Sequence, residues 1–224
     1  MSSPLALETS PNKQKPFLRG RFHEASFFFG LGACAMLIAV APSSRAVVAA
    51  LVYSLCLALL FGVSSLYHRN YWPEKSRRLL RKLDHAGIYV FIAGTATPIC
   101  LIGLSSSDGL KLLSIFWAAA LFGICKEVFW KNSPRWSSSV LYVTMGWLAT
   151  PYLSQFIHAL GTQNTVVFVL GGVVYTTGAL IYAFKWPNPS PKFFGYHEIF
   201  HLFVMVGCLL HFLVIYDVIL KASP

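Results

Sequence analysis

Residues 197–219 read HEIFHLFVMVGCLLHFLVIYDVI, and the reading of this stretch decides the fold. A helix rises about 1.5 Å per residue, so an apolar run of this length crosses a hydrocarbon core of roughly 30 Å. Two of its three imidazoles and one of its two acids stand at its start, at His197, His201 and Glu198, with His211 and Asp217 farther along. The spacing His197-x3-His201 stacks two imidazoles on one helix face, within reach of a single ion. Ionisable groups are costly in a membrane segment and tend to be retained there for function.

Working outward, six more apolar segments lie at 23–41, 46–67, 84–104, 111–130, 138–157 and 165–184. The chain is 56% hydrophobic and 12% charged, against about 25% charged for soluble domains. These features predict an all-α, polytopic membrane protein with seven transmembrane helices. A single membrane domain is expected over 23–221, after a short cytoplasmic tail at 1–22 that is expected to be disordered. The tail is polar and contains no short apolar core with a small-residue cleavage site, so a signal peptide is not expected. Most prolines fall in connections, while Pro98 and Pro151 fall inside segments and predict kinks. The five cysteines (Cys34, Cys56, Cys100, Cys125, Cys208) sit in apolar segments without a CxxC and read as small buried apolar residues.

The net charge of +10 does not point to nucleic acid, because the basic residues are sorted by side. The tail carries Lys13, Lys15, Arg19 and Arg21, and the second connection carries Arg69, Lys75, Arg77, Arg78, Arg81 and Lys82. Lys126, Lys131, Arg135, Lys185 and Lys192 fall on the same side, whereas the other side has Arg45, Lys111 and Lys221. Under the positive-inside rule this places the N-terminus in the cytoplasm and, after seven spans, the C-terminus outside. The basic loop 77–82 is explained by topology, with contact to anionic headgroups as a further possibility.

The same orientation gathers five histidines at the cytoplasmic ends of segments: His23, His68, His85, His197 and His201, with Glu24, Ser64 and Asp84. Zinc bound through His197 and His201 needs one more protein ligand and an open position for water, and His68 at the end of the second segment is the best third candidate. Asp84 is cast as the carboxylate that orients or deprotonates that water, and Ser64, one turn before His68, as a hydrogen-bonding partner of a substrate carbonyl or of a ligand. His23 reads as an ordinary interface residue, His85 as a helix-start residue and His211 as a polar contact between helices. Glu24 suits a helix dipole as well as a site. His158 lies at the opposite end and is no ligand candidate. The pair also matches the HExxH pattern of zinc proteases. That chemistry needs a further ligand, and His211 and Asp217 downstream are poorly placed to supply it.

Three motifs in order, Ser64-Ser-Leu-Tyr-His68, Leu83-Asp84-His85-Ala-Gly-Ile-Tyr-Val-Phe-Ile-Ala-Gly-Thr95-Ala-Thr-Pro98 and His197-Glu198-Ile-Phe-His201, resemble the hemolysin III family. That family falls within the progestin and adipoQ receptor group, which includes the adiponectin receptors. The resemblance covers nearly all of the chain after about residue 17. It implies seven membrane helices with a cytoplasmic N-terminus and a zinc ion held by His68, His197 and His201. It further implies Asp84 near the metal's water, and Ser64 matches the serine one turn before the first ligand. Thr95-Ala96-Thr97 departs from the commoner Thr-Tyr-Thr, which bears on packing and leaves the metal motif intact. The short tail does not carry over a hormone-receptor role.

The expected function is a zinc-dependent hydrolase of a lipid amide or ester in the inner or plasma membrane, similar to ceramidase-like relatives of the group, with membrane lipids as substrate or ligand. A sensor of membrane lipid state with structural zinc is the alternative from another class. A cytolytic pore fits poorly with seven strongly apolar spans, and a transporter lacks the paired broken helices expected at mid-membrane.

Overall fold

The computed structural model describes residues 15–130 and 134–222. Its elements are α1 (Arg21–Ala39), α2 (Ser44–Arg69), α3 (Glu74–Pro98), a π-helical turn (Ile99–Gly103), α4 (Ser106–Phe129), α5 (Arg135–Gly146), a 3-10 turn (Thr150–Tyr152), α6 (Leu153–Phe184) and α7 (Tyr196–Leu220). No β-strand occurs among the described residues, apart from an isolated bridge between Ser190 and Phe194. Ser43 and Ser105 cap α2 and α4 by accepting from Ala46 N and Asp108 N. Six helical stretches among the described residues are long and apolar enough to cross a membrane.

Two boundaries differ from the sequence reading, for physical reasons. α3 starts at Glu74, ten residues before the apolar segment, because 74–83 is a basic helix that hydropathy reads as a connection. Asp84 therefore lies well inside α3 and not in its first turn. The expected fifth and sixth segments form one continuous stretch, Trp136–Phe184, interrupted by the 3-10 turn that begins next to Pro151 and by Gly161. Gly161 has φ 80° and ψ 160°, a conformation that only glycine adopts without strain. On either side of it the chain touches itself in a mirrored order: Phe156 packs edge-on against Phe168, and farther out Trp147 Nε1 donates to Thr176 Oγ1 at 3.0 Å. Pro98 ends α3 and is followed by the π turn, as expected where the missing N–H and the ring disturb the ladder.

The helices pack in a ring in which α1 meets both α2 and α7, α2 meets α3, α5 meets α6 and α6 meets α7. α3 lies innermost and also contacts α4, α5 and α7. One buried cluster joins α1, α2, α3 and α7 around Tyr53, Leu57, Phe91 and Ile215, and a second joins α3 to α4, α5, α6 and α7 around Tyr89, Leu112, Phe116 and Phe156. The outer surface is apolar, with Phe29, Leu55, Phe122, Leu170 and Leu209 among its exposed side chains. Soluble monomers rarely present so broad an apolar surface, whereas lipid requires one. Four cysteines are buried as expected, Cys125 is exposed on α4, and all five are free.

Residues 15–20, assigned to the tail in the sequence, are anchored. Phe17 N and Leu18 N donate to the carbonyls of Lys192 and Phe193, and Lys15 Nζ donates to the carbonyls of His68 and Asn70 at the end of α2. Gly20, at φ 78°, makes the turn into α1, and a Cβ there would lie 2.9 Å from His68 Cβ. Residues 15–20 are thereby tied to the end of α2 that carries His68. The rest of the expected tail, 1–14, lies outside the described residues.

Candidate metal centre

Helix direction brings the end of α2 and the beginnings of α1 and α7 to one end of the ring, and the early start of α3 places Asp84 beside them. His68, His197 and His201 each offer a ring nitrogen, and these atoms all lie within 4.8 Å of one another. His68 Nε2 and His197 Nε2 are 3.3 Å apart. Zinc–nitrogen bonds of about 2.0–2.1 Å give a tetrahedral edge of roughly 3.3 Å, so this pair fits one ion without rearrangement. His68 and His201 are buried and His197 is half-buried. The donor set is the nitrogen-rich kind that suits zinc and related transition metals.

Asp84 Oδ2 lies 3.5 Å from His68 Nε2, the same atom that faces His197. The carboxylate therefore sits on the side of the His68 ring that faces the cluster, rather than behind it at Nδ1. Asp84 also interacts with the Ser64 hydroxyl. Ser64, buried one turn before His68, is 2.8 Å from His23 Nδ1.

His23 was read from the sequence as an interface residue, yet it is 3% exposed and part of this centre. Its ring stacks on His201 with centroids 3.8 Å apart and an interplanar angle of 7°, and it meets Phe61 edge-on. Its Nε2 is buried and has no hydrogen-bond partner among the described residues. Of the remaining candidates, His85 borders the cluster, with Nδ1 3.9 Å from Asp84 Oδ2, while Glu24, His211 and His158 lie outside the cavity. His85 Nδ1 pairs with the Arg81 carbonyl at 2.7 Å, Glu24 pairs with Arg69 at 3.0 Å, and His211 Nε2 pairs with the Phe168 carbonyl at 3.0 Å. His158 is exposed near Gly161.

His23, Ser64, His68, Asp84, His197 and His201 line a cavity of about 1430 Å³, and His85 borders it too. Leu60, Ile88, Phe200 and Val204 contribute apolar wall, and Lys15, Arg77 and Arg81 contribute basic wall. The sequence did not single out Glu127, Ser138 and Tyr142, which line it too. Lys126 Nζ binds Glu127 at 3.0 Å and also donates to Ser138, whose hydroxyl donates to Glu127 at 2.7 Å. Tyr142 donates to the His85 carbonyl at 3.1 Å and so links α5 to α3 beside Asp84.

Glu198, the acid of the HExxH pattern, does not line the cavity. It is 1% exposed, forms an ion pair with Arg19, and accepts from Gly195 N at 2.9 Å, which caps the start of α7. It is therefore a helix-positioning residue in this chain and not the base of a protease. Glu198→Gln removes the charge from this pair and is expected to cost about 2 kcal/mol of stability, in line with hydrogen bonds to charged groups. A thermal melt in detergent measures this. An unchanged melting temperature would contradict the assignment.

Comparison with known proteins agrees with this architecture. The family model described as Haemolysin-III related matches residues 12–212. Hemolysin-3 of Bacillus cereus is 35% identical over 182 residues, covering 81% of this chain and 80% of the relative. A Hemolysin-3 homolog of Bacillus subtilis (strain 168) is 33% identical over 156 residues, 70% of each chain. The Monocyte to macrophage differentiation factor of Homo sapiens is more distant, at 22% identity over 179 residues, 78% of this chain and 72% of the relative. With its long apolar helices, this chain is a multi-pass membrane protein that belongs to the Haemolysin-III related family.

Proposed function

We propose that this protein is a seven-span, zinc-dependent hydrolase that cleaves a lipid amide or ester at the cytoplasmic side of a cell membrane. The observation that carries the reading is the joining of three metal-capable imidazoles and a carboxylate on the wall of one large cavity with both apolar and basic sides. The proposed ligands are His68, His197 and His201. When bound, zinc supplies a Lewis acid that polarises the scissile carbonyl and brings the pKa of water at the site to about 7.

In this reading Asp84, on the cluster side of His68, takes a proton from the attacking water. The water oxygen bonds to the carbonyl carbon, the C–N or C–O bond breaks, and Asp84 delivers the proton to the departing nitrogen or oxygen. The products are a carboxylic acid and an amine or alcohol. Ser64 has one proton to give. With His23 Nδ1–H as its donor, that proton is free to point at Asp84 or at the developing oxyanion. The apolar wall takes the acyl chain. A second reading, a lipid-state sensor with structural zinc, is favoured by His23. Its unpartnered, buried Nε2 beside His201 could close the coordination sphere and leave no position for water.

The seven-span count draws support from the stretch 136–184. Its 49 residues would extend about 74 Å as one straight helix, more than twice the hydrocarbon core. The mirrored contacts about Gly161 are those of an antiparallel pair. Seven spans and a cytoplasmic N-terminus put the two ends of the chain on opposite faces. In a cysteine-free background, a membrane-impermeant maleimide is expected to label Lys221→Cys in intact cells and Lys75→Cys only after permeabilisation. Labelling of both only after permeabilisation would mean an even number of spans.

The catalytic reading is tested with purified protein on a panel of long-chain lipid amides and esters, with released fatty acid as the readout. Asp84→Asn is expected to lower kcat by about 100-fold or more, typical of a lost general base, with zinc content unchanged. Turnover equal to that of the unaltered protein would remove Asp84 from the chemistry. No turnover on any member of the panel by the zinc-loaded protein would favour the sensor.

A further inference from the structure

We propose that the mouth of the cavity is a binding site for the anionic headgroup of an amphiphile, a phosphate or carboxylate held by Lys15, Arg77 and Arg81. As a statement about substrate this rests on the hydrolase reading, but as a statement about binding it stands without it.

The observation behind it is an imbalance of charge on the cavity wall. The acids of that wall are already engaged: Asp84 by His68, Glu127 by Lys126, and Glu74 by Arg78 at 3.9 Å. Arg19 is matched by Glu198. Lys15, Arg77 and Arg81 also line the cavity, and none of them has a carboxylate within 4.0 Å among the described residues. Lys15 is fixed by two carbonyls at the end of α2 and lies over the Tyr71 ring. Its ammonium is held below its ordinary pKa by burial and by the neighbouring Arg19 and Arg77 guanidiniums, and Lys15, Arg77 and Arg81 share the wall of one cavity. Cations crowded at a cavity mouth focus a positive potential that an anion relieves. Guanidinium forks match the oxygens of phosphate and carboxylate.

Charge sorting for topology alone does not account for the arrangement. Arg77, Arg81, Asp84 and Ile88 follow i, i+4, i+7 and i+11, one stripe of α3 on a broader face that also brings Glu74, Arg78, Leu79, Lys82 and His85 to the cavity wall. Lys75, on the same helix, does not line it. Down this stripe the wall changes from cationic to reactive to apolar. At about 1.5 Å per residue, Arg81 lies roughly 4.5 Å and Arg77 roughly 10 Å above Asp84, with Ile88 roughly 6 Å below it. The ligand that fits has its negative charge within several bonds of the amide or ester and its acyl chain beyond. A neutral lipid of the same chain length leaves the cations unanswered.

Native mass spectrometry of the detergent-purified Asp84→Asn protein tests this without any demand for turnover. The probes are phosphatidic acid and diacylglycerol with identical acyl chains, each with and without millimolar inorganic phosphate. Phosphatidic acid is expected to be retained at least tenfold better than diacylglycerol. Both Lys15→Gln and the double variant Arg77→Gln/Arg81→Gln should abolish that preference, while Lys75→Gln keeps it. Displacement of the lipid by inorganic phosphate would assign the site to free phosphate, and persistence would assign it to the lipid headgroup. Equal retention of the two lipids would overturn the proposal. So would an equal loss in Lys75→Gln, which would mark diffuse surface attraction. Two variants on separate elements guard against a folding defect in one of them.

Discussion

Imidazoles and a carboxylate buried among apolar helices need partners, because no bulk water is available there to satisfy them. At this centre His68, His197, His201 and Asp84 answer one another, and His23 and Ser64 form the next contacts outward. These six side chains come from α1, α2, α3 and α7, so meeting their polar needs in one place fixes how the ends of four helices are placed. Gly20, Lys15 and Arg19 then tie the segment 15–20 to the same end of the ring. The close approach of these elements encloses the cavity.

Inside the ring, polar contacts are few and specific, while the lipid-facing surface is left to apolar side chains. α3 carries this division furthest. Its basic first turns stand at the cavity mouth, Asp84 sits at the cluster, and Tyr89, Phe91 and Ala93 enter the cores below. One helix thus spans the change from charged to apolar surroundings that an amphiphilic molecule would itself require. The Lys126, Glu127 and Ser138 network braces the α4 and α5 side of the cavity, where Tyr142 reaches back to α3.

Much of this was legible in the sequence because hydrophobic run length and i, i+4 spacing are local properties. The apolar segments and the pairing of His197 with His201 came from such patterns, and the choice of His68 and Asp84 as neighbours followed from the sorting of basic residues, which puts those helix ends on one side. What the sequence hid were properties set by distant contacts. His23 meets Ser64 and His201, far away along the chain, so its own surroundings in sequence look like a helix end and nothing more. Glu198 wears a protease pattern, but its role is decided by Arg19, across 179 positions. The early start of α3 was obscured because amphipathic basic helix and basic connection have the same hydropathy. The boundary between the fifth and sixth segments was placed near Gly161, and the contacts on either side of that residue show how the backbone uses it.

The central claim is that His68, His197 and His201 hold one metal ion together. Elemental analysis with X-ray absorption spectroscopy on detergent-purified protein tests it most directly. The account predicts about one zinc per chain in a nitrogen-rich environment, lost in His68→Ala and in His201→Ala and retained in His158→Ala. Absence of metal after zinc is supplied at neutral pH, or a zinc content indifferent to His68 and His201, would contradict it.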